Sequence, residues 1–242
     1  MSQHHLSEAE FLQQYDQKQF NTPNVSVDSV LFTYHQQKLK VLMVLRAHHP
    51  HQGQWGLPGG FISLKKDKTI EDTAYRKLAE KTGIKPHYLE QLKTVGNRYR
   101  DKRAWSITIC YTALIAYQSC EAHIYSVKDA KWLTLDELSN IKIAFDHRQL
   151  IESAHQRLIQ KALYSIVPAF VLPEKFTLPE LQHVHEVIIG KPLQKKSFRR
   201  RIEQAELLID TGEKRRVSGR PAILYKLKPH AGEYNFIRNL EN

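Results

Sequence analysis

Residues 55–84 read WGLPGGFISLKKDKTIEDTAYRKLAEKTGI, a glycine turn followed by an amphipathic helix, and this stretch decides how the rest of the chain is read. Pro58 fixes one φ, while Gly59 and Gly60 are free to take positive φ. The backbone can therefore bend sharply and bring its N–H groups close to a ligand. After a spacer, Ile70, Ala74, Leu78 and Ala79 recur at helical spacing over 69–82, and Gly83 offers a left-handed cap. Arg76, Lys77, Glu80 and Lys81 gather on one side of two turns. On an arbitrary helix these charges would be a solvated face; behind a glycine turn they have the layout of a diphosphate site.

Outward from the turn, 25–34 and 39–46 are β-branched and apolar runs around His35-Gln36-Gln37-Lys38, which predicts a strand pair. Arg46 closes the second run and faces the loop ahead of Gly59-Gly60, either as a ligand contact or as an ordinary strand-end charge. Further strands are expected over 90–99 and 105–117, joined by Arg100-Asp101-Lys102-Arg103, with a short one over 130–133. Thr134 and Glu137 form a capping pair for a short helix over 135–140. A helix of about six turns is expected over 145–165, with Leu150, Ile151, Ala154, Leu158, Ala162 and Leu163 on one face.

Thr177-Leu178-Pro179-Glu180 is a capping box with proline in the first turn. The helix it starts keeps Leu181, Val184, His185 and Ile188 inward and stops at Gly190 and Pro192. A second helix over 194–208 carries Phe198, Ile202 and Ala205 as its buried stripe, with Lys195, Lys196, Arg199, Arg200 and Arg201 beside or opposite it. Two apolar segments, 207–211 and 222–227, flank GEKRRVSGRP, a hairpin whose tip presents Lys214, Arg215, Arg216 and Arg220. A basic helix-turn-helix followed by a basic hairpin is a winged helix, which offers cations to the phosphates of double-stranded DNA. Ser197, Arg200 and Arg201, near the start of the second helix, are the candidate base readers, and the wing cations the candidate phosphate contacts. Phe198 and Tyr225 look like core residues, so no aromatic platform for RNA is expected.

Composition agrees with this division. The 242 residues are 41% hydrophobic, enough for one or two packed cores. Of the net charge of +11, residues 191–228 carry +8, from twelve Lys and Arg against four Asp and Glu, as expected of a surface that faces a polyanion. No apolar run approaches the ~18 residues of a membrane span, and MSQHHLSEAEF is unlike a signal peptide, so a cytoplasmic protein with no membrane partner is expected. Cys110 and Cys120 make neither a disulfide framework nor a zinc site, and His48, His49 and His51 lack the companions of a metal set.

The order Gly59-Gly60, spacer, Arg76, Leu78, Glu80, Gly83-Ile84 resembles the signature of Nudix hydrolases, in which a helix presents Arg-Glu-x-x-Glu-Glu-x-Gly. Lys77 replaces the first glutamate of the trio, Glu80 keeps the second, Lys81 replaces the third, and Lys68 stands at the upstream glutamate position. Magnesium needs hard oxygen ligands, and ammonium groups at ligand positions repel it. Asp67, Glu71 or Asp72 would have to rebuild the metal site. The departures imply a pocket that needs no cofactor and binds without turning over, Lys77 and Lys81 supplying the charge a metal would supply. Arg76 is expected to order the helix by pairing with Glu80.

Taken with the C-terminal series FTLPELQ, SFRR and GRPA, nearly the whole chain resembles bacterial Nudix-related transcriptional regulators of NAD metabolism. The resemblance implies an α+β chain, a Nudix-like α/β/α sandwich followed by a winged helix-turn-helix. Expected divisions are a leader over 1–22, an effector-binding domain over 23–166, a linker over 167–175, the winged helix over 176–230 and a tail over 231–242. It further implies a homodimeric repressor on a palindromic operator near genes of NAD synthesis or salvage, released by ADP-ribose or a related nucleotide. Arg46, Gly59, Gly60, Lys77, Glu80 and Lys81 would form the effector pocket, with Trp105 either stacking on adenine or packing in the core. The competing reading is an ADP-ribose pyrophosphatase with a basic accessory domain.

Overall fold

The structure, a computed structural model, describes residues 7–16, 19–120, 124–216 and 221–236. A short helix α1 (Glu8–Gln14), its capping box closed by Ser7 and Glu10, precedes the sheet. Strands β1 (Asn24–His35) and β2 (Lys38–Arg46) pair through a tight turn in which Gln36 and Gln37 take φ of 51° and 61°, the geometry that matches strand twist. Then come β3 (Trp55–Gly56), β4 (Gly59–Phe61), α2 (Ile70–Thr82), β5 (Tyr88–Asn97), β6 (Ser106–Leu114) and β7 (Val127–Thr134).

The sheet runs β3-β2-β1-β6-β5, with β4 paired to β1 and β7 to β2. β1 and β6 are parallel; the other pairs are antiparallel. Because side chains alternate along a strand, β1 serves two cores at once. Val30 and Phe32 face α3 (His147–Tyr164), where Leu150, Ile151, Ala154, Leu158 and Ala162 are buried. Leu31 faces α2, whose Leu78 is buried with Leu42 and Ala113. Each such leucine or isoleucine contributes roughly 1.5–3 kcal/mol. The result is the expected helix–sheet–helix sandwich. Thr69 and Asp72 close the capping box of α2, and Gly83 ends it at φ 72°. Ile70, expected on the inner stripe, is 40% exposed. The short helix expected over 135–140 is a 3-10 turn, Glu137–Asn140, held by the Thr134–Glu137 hydrogen bonds read from sequence.

A winged helix follows: α4 (Leu178–Ile189), α5 (Lys195–Gln204) and the hairpin β8 (Leu208–Arg215) and β9 (Ala222–Leu227). The linker expected over 167–175 is not a loose tether. Val167–Val171 forms a 3-10 turn with Val167, Pro168, Ala169 and Val171 buried, and Phe176 just beyond is buried too. The reason lies in its composition: VPAFVL is apolar and has no water-facing side to offer. Phe176 pairs with Tyr225 of β9 through two backbone hydrogen bonds, 2.9 and 2.7 Å. Leu181, Val184, Ile188, Ile202 and Leu207 join the cluster that α3 builds on the sheet. Part of the expected tail also packs: Ala231 is buried, and the Phe236 N–H donates to the Tyr164 carbonyl at 2.6 Å. Among the described residues no helix is long and apolar enough to cross a membrane.

Candidate nucleotide cleft and DNA-facing surface

The glycine turn lies directly on β1. A Cβ added to Gly59 would stand 2.1 Å from Asp28 Oδ1 and 2.5 Å from the Val27 carbonyl oxygen, so no other residue fits. A Cβ on Gly60 would meet Lys77 Cε at 3.0 Å; the bare glycine lets the lysine stem lie across the turn. Beside it opens a cleft with about 630 Å³ of empty space. Arg46 from the end of β2, Lys81 from the last turn of α2, Arg100 and Arg103 from the β5–β6 loop, and Phe145 and His147 from the start of α3 line it with the glycines.

These side chains form one electrostatic system around Asp28, itself buried. Asp28 Oδ2 accepts from Thr108 Oγ1 at 2.7 Å and stands 3.5 Å from Arg100 Nη2 and 3.7 Å from His147 Nε2. Arg100 also donates to Asp146 through Nε at 3.1 Å and Nη2 at 2.9 Å. Burial opposes the Arg100 charge, but Asp146 and Asp28 outweigh it and hold the guanidinium above its ordinary value. His147 accepts the Leu57 N–H at Nδ1, 2.9 Å away, which places the ring proton on Nε2, toward Asp28; burial lowers its pKa and keeps the ring neutral. Arg46 donates through Nε to the Pro50 carbonyl at 2.9 Å and lies 4.9 Å over the Phe145 ring. Burial pushes Lys81 down to about 8, Arg46 and Lys77 adding to the shift.

Two of the three carboxylates that could rebuild a metal site beside α2, Asp67 and Asp72, are already engaged. The chief partner of Arg76 is Asp67, its Nε donating to Oδ1 at 2.6 Å. Glu80, the partner expected from helical spacing, is second at 3.2 Å. Asp67 also accepts from Ser63 N–H and Thr73 Oγ1 and is held far below the ordinary carboxylate range, chiefly by Arg76. Asp72 is committed to the Thr69 cap, and Glu71 is exposed. Among the described residues, no three His, Cys, Asp or Glu side chains gather where a metal ion could be held.

On the winged helix, α5 buries Ile202, with Phe198 and Ala205 half-buried behind it. Lys195, Lys196, Arg200 and Arg201 are exposed, while Ser197 and Arg199 are half-buried. Gln194 caps the helix by accepting the Ser197 N–H at 2.5 Å. Lys214 and Arg216 stand exposed on the wing. Arg215, grouped with them from sequence, is instead ion-paired with Glu180 of α4, because strand alternation turns it back toward the helices. Arg220 lies outside the described residues.

A model of the NUDIX domain matches residues 22–154, and one of the NrtR DNA-binding winged helix domain matches 168–227. Over 235 residues the chain is 39% identical to the ADPR responsive transcriptional repressor NtrR of Acinetobacter baylyi, covering 97% of this chain and 94% of that one. The chain belongs to the NrtR family. Shewanella oneidensis NrtR complexed with a 27mer DNA is 63% identical to it, with a TM-score of 0.84 over 90% of this chain and 99% of that one. The NUDIX domain of the same NrtR complexed with ADP ribose is 56% identical, with a TM-score of 0.62 over 63% of this chain and 99% of that one. The NrtR winged-helix model begins at residue 168, so it takes in the apolar segment ahead of Phe176.

Arg46, Gly59, Gly60 and Lys81 of the sequence-predicted pocket do line the cleft. Lys77 and Glu80 pair with each other at 3.0 Å and flank it. Trp105 is neither cleft wall nor buried core: it is 49% exposed and packs against Gly96. Asp28, Arg100, Arg103, Phe145 and His147 were missed. Asp28 carried a signal, a charge inside the apolar run 25–34; His147 carried none.

Proposed function

We propose that this chain is a transcriptional repressor of NAD synthesis or salvage genes, binding a palindromic operator as a homodimer in the cytoplasm. ADP-ribose, or a related nucleotide, is its effector: it enters the Nudix cleft, is not hydrolysed, and lowers operator affinity. The observation that carries this reading is the charge of the cleft. Arg46, Lys81, Arg100 and Arg103 converge where a diphosphate would lie, Lys77 flanks them, and Asp67 and Asp72 are spent on Arg76 and the Thr69 cap. Such a site holds an anion by charge-assisted hydrogen bonds without a metal and lacks the activated water that hydrolysis needs. The exposed cations of α5 and the wing supply the phosphate contacts of the DNA complex, and the ADP-ribose complex of the similar NrtR domain supports the ligand class. Effector and operator are linked because each favours one arrangement of the winged helices.

Fluorescence anisotropy on duplexes from upstream of the chain's own gene and its neighbours tests this, titrating ADP-ribose without and then with magnesium. Tight binding reversed without metal is the expected result. Magnesium-dependent release of AMP, at order 1 per second or faster, would install the pyrophosphatase reading instead.

A further inference from the structure

Asp146 occupies the N-cap of α3 yet makes no capping hydrogen bond with its side chain. Its carboxylate is given to Arg100 instead, through two charge-assisted bonds. Arg100 is almost wholly buried, its side chain 5% exposed, but the face that remains open is part of the cleft. One guanidinium is thus shared between the helix start, the Asp28 carboxylate on β1, and whatever anion occupies the cleft. A guanidinium fork fits carboxylate and phosphate alike, so the two compete for it.

The far end of the same helix holds the winged helix. Buried His185 of α4 meets the Ala162 carbonyl through Nδ1 at 2.9 Å, and the segment that follows the winged helix packs on the same end, Phe236 N–H reaching the Tyr164 carbonyl and Asn235 bridging to Ser165. Lys161 and Arg157 fix the helix to Glu90 of β5 at 3.2 and 2.8 Å. The eighteen residues of α3 make a rod about 27 Å long, anchored on one side by a ligand-accessible ion pair and on the other by the DNA-binding domain.

We infer that the Arg100–Asp146 pair is the latch through which the cleft controls the winged helix: an anionic nucleotide draws Arg100 off Asp146, the first turn of α3 loosens, and the rod re-seats the winged helix away from its operator-binding position. Arg100 and Asp146 are positioning residues here, acting on DNA through α3. The inference rests on the proposed repressor role and adds to it the place where binding becomes movement.

The test uses the full chain, the operator duplex and ADP-ribose. In Asp146→Asn, whose amide no longer holds the guanidinium by charge, ADP-ribose affinity rises at least threefold. Operator affinity without ligand falls toward the ligand-saturated value of the wild type, and the effect of ADP-ribose on operator binding shrinks below twofold. A merely structural role for Asp146 would lower both affinities together. Hydrogen exchange on the wild type provides a second readout: saturating ADP-ribose speeds exchange at the amides of 149–152 while leaving α2 unchanged. Asp146→Asn with wild-type coupling, or unchanged protection of that turn, overturns the latch. A wild type that binds operator but is not released by ADP-ribose overturns the repressor reading itself, a distinguishable result.

Discussion

Arg215 of the wing is ion-paired with Glu180, the carboxylate that also closes the capping box of α4. One acid thus starts the first helix of the helix-turn-helix and holds the last residue of β8, where the hairpin opens into its loop. Both groups are partly exposed, so the pair itself contributes little, up to about 1 kcal/mol. Arg215→Ala is expected to lower the melting temperature slightly and to leave the salt slope of DNA binding unchanged. Glu180→Ala, which also removes the cap, costs about 1 kcal/mol more. Thermal melts and salt titrations separate the two effects.

Lys214 and Arg216 behave differently. Each is exposed, one on either side of Arg215 along the chain, and replacement of either by alanine should weaken binding to all sequences about equally. The slope of log affinity against log salt drops by roughly one unit per residue. A loss confined to one operator sequence would make them base readers.

Lys81 gives the cleft a pH dependence. Its pKa, about 8 in the folded chain, lies below the ordinary lysine value of about 10.4. A bound diphosphate favours the charged form and raises it again. Affinity for ADP-ribose is therefore flat below pH 8 and falls above it, by at most tenfold per pH unit. The sign for stability is opposite: between about 8 and 10.4 the unfolded chain binds more protons, so this residue's contribution to stability grows with pH. Calorimetric titrations from pH 7 to 9.5 should show the affinity break in the wild type and not in Lys81→Arg.

The double variant Lys77→Glu, Lys81→Glu restores two acids to the Nudix helix. Metal-free ADP-ribose affinity should fall on the order of a hundredfold, about two charge-assisted hydrogen bonds. Unchanged affinity would show that the lysines hold no phosphate.

Gly59→Ala drives a methyl group into Asp28 and the Val27 carbonyl. Separation of β4 from β1 follows, at about 1–3 kcal/mol, together with loss of the cleft. Circular dichroism melts and ADP-ribose binding both register it.

Local chemistry was the part of the molecule readable from sequence. Gly83 ends α2, and Thr177, Glu180 and Gly190 bound α4, because caps and left-handed glycines act within a few residues; the Thr69–Asp72 box that starts α2 obeys the same rule and was not read. The cleft was half-legible for the same reason: Gly59, Gly60 and Lys81 belong to one continuous stretch. Asp28, Arg100 and His147 meet only because β1 pairs in parallel with β6, some eighty positions along the chain, and α3 then crosses the sheet. No local period encodes such a meeting. Arg76 illustrates the point on a smaller scale. Helical spacing finds Glu80, but the loop after β4 folds back and brings Asp67 closer.

The buried segment between α3 and α4 sets a rule for anyone building chimeras. With Val167, Ala169, Val171 and Phe176 packed in the same interior as Leu158 and Leu181, a cut within this segment would strip both fragments of an inner wall. A transplantable reader of DNA from this chain has to carry α3 with it, and a new sensor has to be grafted at the first turn of that helix, where the cleft residues begin.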